Sequence, residues 1–179
     1  AAKLAGQLES SGTGSYSTRI AHHWCEISLQ AAASGDTPQA DDALAQAQRV
    51  APQAPRPLLL TARQAMQFGD AATAYARYAA LVAVAPAMLT LVAAEMVDAA
   101  VAGGRADAAR ELLLRRHEQQ PGVDLLQALR KLDAALTPPG DRPCAHARAR
   151  ALLQQQPTLS AALEVLDASG SATEAAVLR

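Results

Sequence analysis

The chain has 179 residues, 50% nominally hydrophobic but only 3% aromatic, and much of the apolar fraction is alanine. Sixteen basic and 17 acidic residues leave a net charge of −1 spread along the chain, so a nucleic-acid or anionic-membrane role gains no electrostatic support. Alanine is the best helix former and adds little bulk, which favours thin, closely packed helices, and no run of alternating β-branched residues marks a strand.

In chain order, Ala1 to Ser10 reads as the tail of a helix, and Ser11-Gly12-Thr13-Gly14-Ser15 as a linker, so 1–15 is expected to trail from a preceding unit. A helix from about Arg19 to Ala33 follows. Thr37-Pro38 then supplies a capping residue and a proline at the first helical position. Pro55-Arg56-Pro57 opens the next pair, expected at roughly Pro57 to Phe68 and Ala71 to Val84, and the loop Ala85 to Leu89 absorbs one extra residue. Further on, the turn Thr137 to Pro143 is longer and stiffer than its predecessors. A short helix, Leu159 to Ala168, precedes Ser169-Gly170, and Ser171-Ala172-Thr173-Glu174 matches a capping box. A new helix is starting as the chain stops at Arg179, so 158–179 reads as the start of a further unit and the whole as a section of something longer.

A period runs through these elements. Gly35-Asp36, Gly69-Asp70 and Gly104-Arg105 stand 34 and 35 residues apart, Pro52, Pro86 and Pro121 keep the same spacings, and Gly140-Asp141 with Pro157 continues them at 36. Repeats of this length are helix–turn–helix units too small to bury their own apolar faces, which predicts an all-α tetratricopeptide-repeat solenoid of antiparallel helix pairs in a right-handed superhelix. The units are about 20–53, 54–87, 88–122 and 123–157. With the glycine as position 15, Trp24, Ile27, Ser28 and Ala31 take positions 4, 7, 8 and 11 of the first unit, and Ala40, Leu44, Ala47 and Pro52 take 20, 24, 27 and 32. Small residues at 8 and 20 let helix backbones approach; larger ones fill the space between layers. The weakest fit is Arg116 at position 27.

With those positions used in packing, positions 2, 5, 9 and 12 of each first helix form a stripe for a partner. The expected groove comprises His22, Cys25 and Leu29, then Arg56, Leu59, Arg63 and Met66, then Leu91 and Asp98, and Arg130 in the fourth unit. Fourteen of the 16 basic residues are arginine, whose planar fork suits carboxylates, so an amphipathic or acidic segment of another protein is the expected occupant.

Other constellations are weaker. His22 and His23 diverge by about 100° on a helix and cannot share an ion as an i, i+4 pair does. Cys25 and Cys144 form no CxxC pair, which argues for a reducing compartment. A Cys144/His146 nucleophile pair requires tertiary proximity. No nucleophile elbow, Walker loop, dinucleotide fingerprint or HExxH is present, so the chain is expected not to be an enzyme and to hold no cofactor. No apolar run is long enough for a membrane span.

Some stretches are more particular. Arg19-Ile20-Ala21-His22-His23-Trp24-Cys25-Glu26-Ile27 resembles the opening of a repeat in the lipopolysaccharide assembly protein B family. Gln120 to Leu129, Gln155 to Leu159 and Glu174 to Arg179 resemble later parts of the same repeat region, in order. Members of that family are anchored in the bacterial inner membrane, carry their repeats on the cytoplasmic side and end in a rubredoxin-like module with two CxxC pairs. As adaptors they act with the membrane protease FtsH to promote degradation of the deacetylase LpxC, limiting lipopolysaccharide synthesis. The resemblance therefore implies a cytoplasmic-face adaptor with a membrane protease and its substrate as partners. Neither the anchor nor the CxxC module lies in this sequence, so the family's iron or zinc carries over to no residue here. A generic repeat module of another cell-envelope or haem-biosynthesis-associated assembly factor is the alternative, and self-association through an open end face is a further expectation.

Overall fold

The structure is a computed structural model that describes residues 16–136 and 145–166. Among the described residues all regular structure is helical. The expected trailing helix and linker at 1–15, the proline-rich turn at 137–143, the Cys144/His146 pairing and the capping box at 171–174 lie outside the described residues. The chain divides into two compact units, Ala1–Leu89 and Thr90–Arg179.

In the first unit, α1 (Tyr16–Ala33), α2 (Thr37–Val50), α3 (Pro55–Gln67) and α4 (Ala71–Val84) precede a single 3₁₀ turn at Pro86–Met88. The segment 85–88 is as long as its counterpart 51–54, whereas the helix that follows it, Leu89–Ala102, has 14 residues against 13 for α3, so the extra residue expected between Ala85 and Leu89 lengthens that helix instead. The first hairpin is antiparallel: Ala21 and Cys25 of α1 share a cluster with Leu44 and Ala47 of α2, and the Ser28 hydroxyl donates to the Ala40 carbonyl at 2.8 Å. Numbers rise on one helix as they fall on the other. Ser28 and Ala40 are the small residues that meet across this hairpin, and that hydrogen bond satisfies the buried hydroxyl.

One turn geometry recurs three times. Gly35, Gly69 and Gly104 have φ of +82°, +79° and +65°, a region open to glycine because it lacks Cβ. In each, the residue after the glycine donates its N–H back over five positions: Asp36 to Ala31 at 2.9 Å, Asp70 to Ala65 at 2.9 Å and Arg105 to Ala100 at 2.7 Å. The glycine N–H bonds the next carbonyl, completing a Schellman closure of the helix. The aspartates then serve a second role. Asp36 accepts from the Gln39 N–H at 3.1 Å and Asp70 from Thr73 at 3.0 Å, each capping the following helix. The expected cap, Thr37, lies inside α2 because the aspartate one residue earlier has already taken the amide.

The second unit holds most of α5 (Leu89–Ala102), then α6 (Ala106–Gln119), α7 (Val123–Leu136), α8 (Ala145–Gln155) and α9 at 159–166. Thr158 caps α9 by accepting from the Ala161 N–H at 3.2 Å. Leu126, Ala149, Leu152 and Ala161 form one buried cluster joining α7, α8 and α9.

Helix-packing positions read from the period are mostly buried. Ala40, Leu44, Ala47, Ala74, Tyr78, Leu81, Ala109 and Leu113 are 6% exposed or less, as are Leu58, Ala93, Met96, Val97, Leu129 and Leu132. Burial of each large side chain among them contributes roughly 1.5–3 kcal/mol against the entropy of ordering it. Ile27 departs from the expectation at 39% exposure. The buried face of α1 is Ala21, Cys25, Ser28 and Ala31, and Ile27 sits about 100° round the helix from Ser28, outside that stripe.

Candidate interaction surface

Within the first unit, α1 and α3 lie side by side, joined by the ion pair from Arg56 to Glu26 and by Leu60 packing on the α1–α2 cluster. His22, Glu26 and Leu29 recur at helical spacing on the exposed side of α1, with Arg56 and Arg63 exposed on α3 and Leu59 and Met66 half-buried. His22 Nε2 stands 3.7 Å from the same Glu26 carboxylate. The His22 and His23 rings diverge, with interplanar angle 67°.

Cys25 does not belong to this surface. It is 0% exposed and packed among Ala21, Leu44 and Ala47. Position 5 of the first helix faces the hairpin partner because the apolar stripe runs through 21, 25 and 28, so Glu26 takes the outward place the spacing assigned to Cys25. Burial pushes the thiol up to about 11, against a smaller lowering by Arg56. A thiol so shielded is a packing group and not a nucleophile.

In the second unit, Leu91 is 64% exposed, whereas Asp98 is held by Lys131 at 2.6 Å. Arg130 reaches Glu164 at 2.6 Å, and Gln127 donates to the other Glu164 oxygen, also at 2.6 Å. Two of the three arginines expected to meet a partner's carboxylates, Arg56 and Arg130, thus already face carboxylates of this chain.

The charged centres missed from the sequence are buried acids. Asp133, 5% exposed, accepts from Arg110 Nε at 3.1 Å and Arg148 Nη1 at 3.3 Å, tying α6, α7 and α8 together. Glu164, 4% exposed, ties α9 to α7. One signal was present: Asp133 occupies the small-residue position of the fourth repeat, where a carboxylate must be answered by cations. On α6, His117 keeps a buried Nδ1 without a hydrogen-bond partner. Burial, aided by Arg148, holds its pKa below the usual imidazole value.

Among the described residues, no three histidine, cysteine or carboxylate side chains gather as a metal site, and no helix is long and apolar enough to cross a membrane. Comparison with protein-family models and with curated proteins finds no match for this chain.

Proposed function

We propose that this chain is a non-enzymatic protein-interaction scaffold, a tetratricopeptide-type array whose first helices present their outward stripes to another polypeptide. The observation that carries the reading is the turn that returns at Gly35, Gly69 and Gly104 with the same hydrogen bonds and the same hand of φ. Repeated hairpins of equal length place equivalent faces at equal intervals, the arrangement by which solenoids bind extended segments. His22, Leu29, Arg56 and Arg63 form the exposed part of that face in the first unit.

The finer reading rests on the sequence resemblance: an adaptor region on the cytoplasmic face of the bacterial inner membrane, bringing a membrane protease to the LpxC deacetylase. The test is co-purification of the protein with both proteins, comparing wild type with Arg56→Glu/Arg63→Glu. Loss of either partner in a folded double variant supports the adaptor reading. Failure of the wild type to recover either partner leaves the generic scaffold, and recovery unchanged in the variant removes this face from the binding surface.

A further inference from the structure

The first unit also carries a feature that the stripe of first helices does not include. A pocket of about 380 Å³ opens between α2, α3 and α4, with Pro52 and Leu58 as its apolar lining and Arg49 and Arg77 at its edge. The volume lies at the small end for ligand sites and suits one or two side chains better than a cofactor. Its neutral polar groups are already engaged: the Thr61 hydroxyl donates to the Pro57 carbonyl at 2.7 Å and accepts from Gln48. The arginines are not. Among the described residues neither Arg49 nor Arg77 makes an ion pair or side-chain hydrogen bond, in contrast to Arg56, Arg110, Arg130 and Arg148.

We propose that this pocket is a second docking site, for an acidic polypeptide segment that places an apolar side chain over Pro52 and Leu58 and a carboxylate on each of Arg49 and Arg77. The unspent donors are guanidinium groups, which pair with carboxylates by two parallel hydrogen bonds. A free phosphate would satisfy the same donors but gain nothing from the apolar lining, which is why a polypeptide is favoured. The inference shares with the proposed function only that this chain binds polypeptides, and it uses none of the residues of the α1–α3 face.

The experiment titrates the intact chain against a fluorescein-labelled peptide, Glu-Asp-Leu-Leu-Glu-Asp, read by anisotropy, with its Gln/Asn isostere and inorganic phosphate as comparisons. Arg49→Glu/Arg77→Glu should weaken binding by about tenfold or more, while Arg115→Glu/Arg150→Glu, an equal change of charge in the second unit, changes it by less than about twofold. Both pairs are exposed, so circular dichroism should show every variant folded. The isostere should bind far more weakly, and added salt should loosen the acidic peptide. Absence of binding, equal binding by the isostere, equal sensitivity to these two double variants, or a peptide no tighter than phosphate would each overturn the proposal.

Discussion

Gly69→Ala isolates one physical effect. A Cβ built on Gly69 meets no atom within 4 Å, and the same holds at Gly35 and Gly104, so alanine there introduces no clash. What remains is the left-handed backbone at φ +79°, which costs an L-residue about 1–2 kcal/mol. Alanine also narrows the unfolded ensemble, offsetting about 0.4–1 kcal/mol, so the net loss should be about 1 kcal/mol at each glycine. Asparagine should lose less, because it tolerates this region better, and D-alanine should stabilise. The three turns share no hydrogen bonds, so a double variant should lose the sum to within about 0.5 kcal/mol. Urea unfolding followed by far-ultraviolet circular dichroism reads these changes as midpoint shifts at constant slope. A loss above about 3 kcal/mol would mean an unrecognised steric contact, and no loss would mean the turn is not left-handed in solution; either refutes the account.

Other expectations test the cores and caps. In a Cys144→Ser background, Cys25 should resist maleimide until urea unfolds the chain; because its folded pKa is raised to about 11, its contribution to stability is complete below the unfolded value near 9.0 and fades as pH climbs through 11. Arg110→Met or Arg148→Met alone should cost less than the pair together, which strands the buried Asp133 charge and should cost about 3–5 kcal/mol, with Asp133→Leu restoring much of the loss in a urea titration. His117 has a folded pKa below its unfolded 6.5, so protonation favours the unfolded chain: stability should fall as pH drops below 6.5, and His117→Leu should flatten that dependence. Arg105 stands where Asp36 and Asp70 cap their helices but makes no cap bond itself, so Arg105→Asp should raise stability by about 0.5–1 kcal/mol.

Helix order and turn positions were legible because the residues that make them act locally. Gly69 needs only its own φ, and Asp70 caps an amide three residues away, so α4 was bounded correctly as Ala71–Val84 from the sequence. Position 36 was less legible: Thr37-Pro38 carries a capping signal of its own, yet it is the Asp36 carboxylate that takes the Gln39 amide. The buried small residues Ala40, Ala74 and Ala109 also followed from spacing, since a fixed period must return equivalent side chains to equivalent contacts.

The interaction surface was less legible, because it depends on which helices meet. Cys25 was placed outward by a stripe counted from the glycine, yet the actual buried face of α1 is set by contact with α2. Glu26, Glu164 and Asp133 lie 15–34 residues from the arginines they engage, so no local pattern could show that Arg56 and Arg130 were already paired or that Asp133 was buried. Periodicity and backbone conformation belong to neighbouring residues, and from these the sequence alone determined an all-helical chain of hairpins closed by glycine. Which charges remain available to a partner is a property of side chains brought together from distant positions, and only the tertiary structure decided it.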